Sequence, residues 1–415
     1  MKVGVIGLGY VGLPLAVAFA GEGHDVIGVD SDQRRAAAIG RGESHVEDVP
    51  SERLRAVLDR VSASSRYDEL AEADALLIAV PTPLTRNREP DLGPLVSAGT
   101  ATAGILRKGQ LVVLESTTYP GTTRERLVPL LEESGLAAGR DFHVAFSPER
   151  TDPGRTDFTL RTTPKLVGGL TPACLERALE LYELVCDEVI ALSGPEPAEM
   201  AKLLENVFRS VNIALVNELA ILCDRMGIDI WEVVEAASTK PYGFMSFEPG
   251  PGMGGHCLPV DPFYLAWKAR EYNQPTEFVE LAGEVNQRMP EFCVELITRA
   301  LNDHSKPVRG SRVAIVGVSY KRGVGDLRES PSVKIMRMLD ERGADLVYHD
   351  DYVSRLPDFD LSSEPLESAL DGCDCAVIVT AHPELDPEEV VRLAPLVVDF
   401  RGVTRGIRSP NLVRL

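Results

Sequence analysis

The sequence predicts an α/β protein with an N-terminal Rossmann domain, a central helical domain and a C-terminal Rossmann-like domain. Two observations predict this fold class. Runs of Val, Ile and Leu alternate with helical stretches at both ends of the chain, as is typical of parallel strands buried on both faces. Between them, over 196–300, apolar residues recur at helical spacing. The predicted domains therefore cover 1–195, 196–300 and 301–415.

Composition indicates a globular chain with room for two or three cores. Its 415 residues are 44% hydrophobic and 26% charged. With 43 Lys plus Arg against 63 Asp plus Glu, the net charge is −20, which argues against nucleic acid and anionic membranes as partners. No membrane span is expected, because Asn217 and Glu218 interrupt the most apolar helical stretch.

The cysteines and the first residues favour a cytoplasmic location. The chain opens with a predicted strand and not with a signal peptide. Its seven cysteines are odd in number and form no CxxC pair, as expected of reduced thiols. At Cys373 and Cys375 core packing is favoured over metal ligation. No metal site is predicted, since the histidines never cluster with carboxylates at ligand spacing.

The N-terminus carries a dinucleotide-binding fingerprint. A predicted strand, Lys2–Ile6, runs into Gly7, Gly9 and Gly12, and a small-residue helical pattern follows over 13–21. In such a turn the first glycine allows the tight bend, the second admits the pyrophosphate, and the third lets helix and strand pack closely. The N-terminus of the helix supplies free N–H groups and a partial positive charge for the phosphates.

An acidic residue after the second predicted strand indicates which cofactor binds. The strand Asp25–Val29 is followed by Asp30, eighteen residues beyond Gly12. A carboxylate there bonds the ribose hydroxyls of the adenosine and repels a 2′-phosphate, which favours NAD over NADP. Arg34 and Arg35 lie close by; they weaken that preference, are solvated, or stack on the adenine.

The two ends of the chain share an internal repeat. Four C-terminal segments echo four N-terminal ones: 313–317 echoes 3–7, 343–350 echoes 23–30, 373–380 echoes 73–80, and 396–399 echoes 111–114. The C-terminal copy has Val318-Ser319-Tyr320-Lys321 in place of the glycine motif. It is therefore expected to bind a different, nucleotide-like ligand, with Lys321 as a candidate phosphate contact.

The middle of the chain is predicted to be helical. An apolar stripe at i, i+3, i+4 spacing runs from Met200 to Leu219, and Gly227 ends it. Further helices are predicted over 231–237, 278–286 and 291–301. A long apolar helix between two sheets is expected to be a shared core element and an oligomer contact, with the reaction in the cleft between the sheets.

Cys257 follows four glycines of the run Gly250–Pro262, and Asp261 comes four residues later. Glycines let backbone approach a ligand closely, and loops commonly carry functional sites. A thiol delivered by such a loop is suited to attack a bound carbonyl. The alternative is a buried structural thiol, since free cysteines are commonly buried.

Lys202 and Asn206 are four residues apart on the predicted long helix. A helix normally turns a lysine outward, so one interpretation is an exposed face. The other is that the ammonium and the amide are aimed at one oxygen atom, as an alkoxide or thioester oxyanion requires.

Three segments follow predicted strands at the carboxyl edge of the first sheet, where ligands of this fold bind. They are Val80–Pro83 after the third predicted strand, Glu115–Thr123 after the fourth, and Ser147–Arg150 after a strand over 142–146. Glu149 is interpreted either as a base for water or as a capping residue paired with Arg150.

These motifs, and others further along, follow one another over nearly the whole chain: Gly7-x-Gly9-x-x-Gly12, Val80-Pro81-Thr82-Pro83, Glu115-Ser116-Thr117, Ser147-Pro148-Glu149, Lys202 with Asn206, the Cys257 loop, Tyr320-Lys321, Arg328-Glu329-Ser330-Pro331 and Asp399-Phe400-Arg401. In this order they resemble the UDP-glucose/GDP-mannose dehydrogenase family, the nucleotide-sugar 6-dehydrogenases. The resemblance implies a four-electron oxidation of the C6 alcohol to the uronic acid, with two NAD consumed per sugar and a homodimer as the active protein.

The resemblance also implies roles for individual residues. Cys257 would trap the aldehyde as a thiohemiacetal, which the second oxidation turns into a thioester, while Lys202 and Asn206 hold the oxyanion. Asp261 and Thr117 would position the water that hydrolyses the thioester.

Other residues are implied as the base and as ligand contacts. Glu149 would be the base, and Lys321 and Arg401 would face the diphosphate and the cofactor. The expected NAD contacts are Gly7, Gly9, Tyr10, Val11, Gly12, Asp30, Arg35, Pro81, Thr82, Thr117 and Arg401. The expected substrate contacts are Glu149, Arg150, Lys202, Asn206, Tyr242, Phe244, Gly254, Gly255 and Lys321.

Departures from the family pattern bear on the sugar. Val260 stands where the UDP-glucose enzymes usually have a lysine, and the runs 240–244 and 254–262 are more similar to UDP-N-acetylglucosamine 6-dehydrogenases. UDP-N-acetylglucosamine therefore ranks first, ahead of UDP- or dTDP-glucose and UDP-N-acetylmannosamine. Asp399-Phe400-Arg401-Gly402 departs from the usual ending of the motif.

Two other classes of function compete with this interpretation. A two-electron hydroxyacid dehydrogenase also joins a Rossmann domain to helices, but it needs neither the cysteine nor the second Rossmann-like domain. A non-catalytic NAD-binding protein would bind NAD without turnover, and Cys257 together with Lys202 argues against it.

Overall fold

The computed structural model describes residues 1–85, 87–152, 157–255 and 257–415, without the side chain of Cys257. The chain divides into two compact units, each made of two stretches. The first unit comprises Met1–Glu205 and Phe263–Pro275, and the second comprises Asn206–Pro262 and Thr276–Leu415.

An eight-stranded sheet is the centre of the first unit. Its strands are β1 (Lys2–Ile6), β2 (Asp25–Val29), β3 (Val61–Ser64), β4 (Ala75–Ile78), β5 (Leu111–Leu114), β6 (His143–Phe146), β7 (Lys165–Gly169) and β8 (Val189–Leu192). They lie in the order β3-β2-β1-β4-β5-β6-β7-β8, and every neighbouring pair is parallel except β6 and β7. The predicted bounds of β1 and β2 are confirmed.

Two features of this sheet differ from the sequence prediction. Strand β3 was not predicted, because its small and polar residues are buried at only one of four positions. Glu115 therefore follows the fifth strand and not the fourth. Strand β7 runs antiparallel to β6, with Ala145 opposite Gly169, although only parallel strands were expected.

Helices cover the faces of this sheet, so its strands are buried on both sides. Leu77 packs in one layer of the core, and its neighbours Leu76 and Ile78 pack in the other. This alternation explains the continuous apolar runs. The helices are α1 (Gly12–Gly21), α2 (Gln33–Gly40), α3 (Ser51–Arg55), α4 (Gly93–Ala103), α5 (Val128–Glu132) and α6 (Pro172–Tyr182), with a π-helical turn at Thr123–Leu127 and a 3₁₀ turn at Tyr67–Glu72.

Four helices follow: α7 (Pro195–Met226), α8 (Ile230–Ser238), α9 (Cys257–Ala269) and α10 (Glu277–Asp303), with a 3₁₀ turn at Arg270–Tyr272. Helices α7 and α9 both begin in one unit and end in the other. Gly227 follows α7 with φ of 69°, as the predicted helix end requires. Cys257 was expected in a loop, but it is the first residue of α9.

A single helix, α10, replaces the two helices predicted over 278–286 and 291–301. Pro290 falls in the gap between the two predicted helices, and it lies inside α10. Proline removes one N–H from a helix and leaves the carbonyl four residues earlier without its donor. That carbonyl belongs to Asn286, and the backbone of Gly252 packs against it, since a Cβ on Gly252 would lie 3.0 Å from the oxygen. The helix continues because tertiary packing outweighs the local preference for a break.

The apolar stripe of α7 is only partly buried. Leu203 and Ala214 are buried, but Met200, Leu204 and Leu215 are 41–61% exposed. By length and composition alone α7 is apolar enough to cross a membrane, since its most apolar window has mean hydropathy 1.3. Asn217 and Glu218 therefore do not lower its hydropathy as much as was expected from the sequence. Within the fold 44% of that window is buried, and core helices of globular proteins meet the same criterion.

The second unit contains a five-stranded parallel sheet in the order β10-β9-β13-β14-β15. Its elements are β9 (Arg312–Val316), α11 (Pro331–Glu341), β10 (Asp345–His349), α12 (Leu366–Leu370), β13 (Cys375–Ile378), α13 (Pro387–Leu393), β14 (Val397–Asp399) and β15 (Leu412–Arg414), with a small hairpin of β11 (Arg355–Leu356) and β12 (Leu361–Ser362) and a 3₁₀ turn at Pro357–Phe359. Helices α8 and α10 share one hydrophobic core with this sheet. The predicted fold class is confirmed.

Candidate active site

The glycines of the turn after β1 are needed for two different reasons. Two of them are required by packing of the protein itself, and the third leaves room for a ligand. Gly7 has φ of 90°, and a Cβ on Gly12 would lie 1.8 Å from the carbonyl oxygen of Gly7, so close packing requires both glycines. A Cβ on Gly9, in contrast, would meet no atom of the described residues within 4 Å. The backbone at Gly9 is therefore bare on its open side, as approach of a pyrophosphate requires. These residues fit a dinucleotide.

Asp30 lies at the end of β2 and is 4% exposed. Its Oδ2 accepts the N–H of Leu8 at 2.9 Å, which ties the carboxylate to the glycine turn. Arg35 pairs with the same oxygen at 3.1 Å. The fold thus holds the acid beside the phosphate-binding turn, and Arg35 neutralises part of its charge.

Two loops at the carboxyl edge of the first sheet are hydrogen-bonded to each other. The Thr82 hydroxyl donates to the carbonyl of Thr117 at 2.8 Å, and Ser116 donates to the carbonyl of Val80 at 2.7 Å. Pro81 is exposed beside them, and Tyr10 and Val11 of the glycine turn are half-buried. The segments after β4 and β5 therefore form one continuous edge, as their positions in the sheet predict.

The same edge holds a buried charged cluster that the sequence did not reveal. The Lys165 ammonium donates to Glu115 at 2.8 Å, with side-chain exposures of 3% and 0%, and Tyr182 donates its hydroxyl to the same carboxylate. Glu149 is 15% exposed and 4.0 Å from Lys165. A lysine opening an otherwise apolar run, Lys165–Gly169, was the available signal.

Arg150 occupies a structural position. Its guanidinium pairs with Glu205 at 2.7 Å and donates to the carbonyl of Pro164 at 2.5 Å. The carboxylate of Glu149 accepts the N–H groups of Arg150 and Thr151. The structure thus joins Arg150 to α7 through Glu205, and the expected pairing of Arg150 with Glu149 occurs only through the backbone.

Lys202 is 8% exposed, so the interpretation that α7 turns this lysine into solvent is wrong. Asn206, one turn later, is 4% exposed. Its amide donates to the carboxylate of Asp261 at 2.5 Å, and Asp261 is 3% exposed. Asp261 lies one turn beyond Cys257 on α9. The bond therefore joins Asn206 of α7 to the start of α9, within the second unit.

The four glycines before Cys257 pack against protein. A Cβ on Gly250 would lie 2.9 Å from the guanidinium of Arg401, and one on Gly254 would lie 2.5 Å from Cβ of Tyr320. Gly255, with φ of 85°, lies against the Tyr320 ring and donates its N–H to the carbonyl of Arg328. Close approach to a ligand was the expected reason for these glycines, but the described contacts are with the C-terminal domain and α10.

Two buried asparagines, one on α7 and one on α10, are hydrogen-bonded to this loop. Asn217 donates to the side-chain oxygen of Asn286 at 2.9 Å and accepts the N–H of Gly250 at 2.9 Å. Asn286 donates in turn to the carbonyl of Ser210 and to the sulfur of Met253. The chain of bonds fixes the loop to α7 and α10, and it explains why Asn217 interrupts the apolar stretch.

The C-terminal domain repeats the hydrogen bond between an aspartate and the turn that is found in the N-terminal domain. Asp350 accepts the N–H of Val318 at 2.7 Å, as Asp30 accepts that of Leu8. In place of an arginine, His382 meets Asp350 at 3.0 Å and accepts the N–H of Gly323 on its other ring nitrogen. Burial raises the pKa of Asp350, but the bonds from His382 and Val318 lower it below its ordinary value.

The remaining predicted contacts lie in different surroundings. Lys321 is half-buried in the loop after β9, and its carbonyl accepts the Ser319 hydroxyl. Arg401 is half-buried and donates to the carbonyl of Val379 at 2.7 Å, and burial lowers its pKa. Tyr242 and Phe244 are exposed by 74% and 42%. No group of three metal-ligating side chains occurs among the described residues.

Comparison with known proteins assigns the domains. Residues 1–186, 196–288 and 314–406 match the NAD binding, central and UDP binding domains of the UDP-glucose/GDP-mannose dehydrogenase family. The chain is 35% identical over 428 residues to a UDP-N-acetyl-D-mannosamine dehydrogenase of Pyrococcus horikoshii, covering 98% of this chain and 100% of the relative. It is 36% identical over 400 residues to a UDP-N-acetyl-D-glucosamine 6-dehydrogenase of Pseudomonas aeruginosa, covering 95% and 94%.

A solved structure of a UDP-D-ManNAc dehydrogenase from Pyrococcus horikoshii has the same fold. The TM-score is 0.91 at 34% sequence identity, covering 100% of this chain and 99% of that chain. The likeness thus extends over all three domains and includes the glycine turn that fits NAD. The chain therefore belongs to the UDP-glucose/GDP-mannose dehydrogenase family and is an NAD-dependent nucleotide-sugar dehydrogenase.

Proposed function

We propose that this enzyme oxidises the C6 alcohol of a nucleotide sugar to the uronic acid, consuming two NAD per sugar through a thioester on Cys257. The observation that carries the proposal is the bond between Asn206 and Asp261, one turn beyond Cys257. It collects an amide and a carboxylate at the start of the helix that bears the thiol.

Residues of the first domain hold the cofactor in this proposal. Gly7, Gly9 and Gly12 shape the pyrophosphate turn, and Asp30 receives the ribose hydroxyls. When bound there, NAD would supply the hydride acceptor for each oxidation. Pro81, Thr82 and Thr117 line the edge next to this turn, and the bond between Thr82 and Thr117 keeps that edge rigid.

The thiol keeps the half-oxidised sugar on the enzyme. Cys257 adds as the thiolate: its sulfur bonds to the aldehyde carbon, and the carbonyl oxygen becomes an oxyanion that Lys202 and Asn206 stabilise as donors. Loss of a hydride from that carbon, for which NAD would be the acceptor, re-forms the carbon–oxygen double bond and leaves the thioester. Donors of this kind are each worth about 3–4 kcal/mol of the barrier. Asn206 can serve because its amide has two N–H bonds, of which the bond to Asp261 uses one.

Water then releases the acid. Glu149 takes a proton from water, the hydroxide oxygen bonds to the thioester carbon, and the carbon–sulfur bond breaks to regenerate Cys257. Thr117 and Asp261 orient the water. Burial raises the pKa of Glu149, but the positive charge of Lys165 and the bonds from Thr151 lower it below its ordinary value, so Glu149 is ionised at neutral pH as a base must be.

A UDP-N-acetylhexosamine is the proposed substrate, with UDP-N-acetylglucosamine ranked first. Val260 and the run 254–262 support this choice, and so do the names of the two relatives. The Pyrococcus relative and its structure favour UDP-N-acetylmannosamine as the second candidate. A panel of nucleotide sugars, with NADH measured and the acid identified by mass spectrometry, decides between them.

We also propose a cytoplasmic homodimer. Leu204, Leu215 and Leu222 of α7 are 49–61% exposed, and burying them against a second copy removes apolar surface from water. The six cysteines whose side chains are described form no disulfide, which suits a reducing compartment. Light scattering measures the mass, and a Leu215→Glu variant is expected to be monomeric.

The decisive test of the reaction is its stoichiometry. The unmodified enzyme is expected to form two NADH per sugar, and a Cys257→Ser variant is expected to stall before the acid. One NADH per sugar from the unmodified enzyme would contradict the four-electron reaction.

A further inference from the structure

Lys165 is not one of the reacting groups in the mechanism above, although it is buried at the ligand-binding edge of the first sheet. Strand β7 is antiparallel to β6, with Ala145 opposite Gly169 and Phe146 opposite Gly168. The first residue of β7 therefore lies at the carboxyl end of the parallel strands. The antiparallel pairing of β7 with β6 thus brings a lysine to the edge where Glu115 follows β5 and Glu149 follows β6.

The contacts of this ammonium connect a buried counterion to the Glu149 turn. Lys165 donates to Glu115 at 2.8 Å and to the carbonyl of Pro148 at 3.1 Å, and it lies 4.0 Å from the Glu149 carboxylate. Tyr182 donates to the second oxygen of Glu115 and lies 5.1 Å from the ammonium across its ring. A buried ammonium needs such partners, because an unpaired buried charge is strongly destabilising.

We propose that Lys165 is a positioning residue, which holds the Pro148–Glu149 turn and keeps a fixed cation beside the Glu149 carboxylate. Glu115 and Tyr182 fix the ammonium in place. The inference rests on the proposed function in one respect only, namely that Glu149 acts as the base that hydrolyses the thioester.

The charges around Glu149 explain why a fixed cation matters. Among the residues that the structure describes, the charged and titratable groups that face it are Lys165, Lys202, Glu115 and Cys186. Burial and the neighbouring Glu115 carboxylate both disfavour the ionised form of Glu149. Lys165 opposes them, and both carboxylates raise the pKa of Lys165 against the effect of burial, so the ammonium stays charged.

The test removes the cation without leaving its counterion unpaired. Lys165→Met alone removes the ammonium that pairs with the buried Glu115 carboxylate, so it is expected to lower the melting temperature. The double variant Glu115→Gln/Lys165→Met replaces the pair by neutral side chains of similar size, which proteins commonly tolerate. Lys165→Arg keeps the charge. The control is Lys108→Met, the same change at a lysine of this domain that is 75% exposed.

Two measurements are made on each full-length variant. Isotope-edited infrared or NMR titration follows the Glu149 carboxyl, and quenched-flow mass spectrometry follows the acyl-enzyme across pH. Compared with Glu115→Gln alone, which already lacks the neighbouring carboxylate, the Glu149 carboxyl of the double variant is expected to titrate about one pH unit or more higher, so hydrolysis falls about tenfold at a pH below that value and acyl-enzyme accumulates. Lys165→Arg and Lys108→Met are expected to behave like the unmodified enzyme, and KM for NAD is expected not to change.

A Glu149 titration in the folded double variant that equals the titration in Glu115→Gln overturns the proposal for Lys165. One NADH per sugar from the unmodified enzyme overturns the proposed function instead, and the titration still decides whether Lys165 sets the charge of Glu149. The two failures are therefore distinguishable.

Discussion

The amide of Asn206 donates to the carboxylate of Asp261 at 2.5 Å, and both side chains are almost fully buried. They come from helices α7 and α9, 55 residues apart in sequence. A hydrogen bond to a buried charged group is worth more than a neutral one, and its loss removes one stabilising donor from the carboxylate. Asn206 thus has two tasks, since it fixes Asp261 and, in the proposed reaction, meets the oxyanion.

Replacing Asn206 by Ala is expected to lower kcat by about 10²–10³, because one oxyanion donor is lost. It is also expected to lower the free energy of unfolding by about 1–3 kcal/mol, because the buried Asp261 carboxylate loses this hydrogen bond. Steady-state kinetics and urea unfolding measure the two effects. Asn212→Ala is the control, because Asn212 on the same helix donates only to the carbonyl of Phe208. Equal losses in both variants would show that Asn206 has no special role.

Substituting the glycines of the first turn separates folding from cofactor binding. Gly12→Ala puts a methyl group 1.8 Å from the Gly7 carbonyl, so the variant is expected to lose more than about 4 kcal/mol of stability. Gly9→Ala meets no described protein atom and is expected to fold normally, while its methyl group occupies the pyrophosphate position and weakens NAD binding about tenfold or more. Thermal melting and NAD titration measure the pair; full NAD affinity in Gly9→Ala would contradict the assignment.

The pH dependence of stability is expected to reflect Asp350. Because its folded-state pKa is lowered, its contribution is present above the unfolded value, ordinarily 3.8, and is lost as pH falls through the folded pKa. Asp350→Asn is expected to cost about 1–3 kcal/mol at neutral pH and much less at acid pH. Urea unfolding at several pH values measures the difference. Asp351→Asn, at a neighbouring carboxylate that is 46% exposed, is measured beside it as the control for the substitution itself.

A methyl group at Gly254 is expected to displace the Cys257 loop. Its Cβ would lie 2.5 Å from Cβ of Tyr320 and 3.0 Å from the carbonyl of Glu329, neither of which can move easily. Gly254→Ala should therefore abolish sugar oxidation while NAD binding to the first domain is kept. Turnover and NAD titration are compared with Gly406→Ala, where the methyl group meets no described atom within 4 Å. Normal turnover in Gly254→Ala would mean that the loop tolerates this shift.

The sequence alone predicted the elements whose signals are local. Strand β1, the glycine turn and Asp30 lie within thirty residues, and each has a fixed spacing that chain geometry requires. The repeat between the two ends could also be recognised in the sequence, because both copies bury their strands on two faces and therefore have continuous apolar runs. Strand β3 was missed since an edge strand buried at one position of four has no comparable pattern.

Sequence by itself thus determined the fold class, the dinucleotide turn and the family, because these depend on short-range periodicity and on motif order. Tertiary structure decided which side chains meet: Lys202 turns inward, Asn206 reaches Asp261, and the reversal of β7 brings Lys165 to Glu115. It also decided that α10 continues through Pro290 and that the glycines before Cys257 pack on protein. The physical reason is that burial and pairing of polar groups depend on neighbours distant in the chain, which no local pattern records.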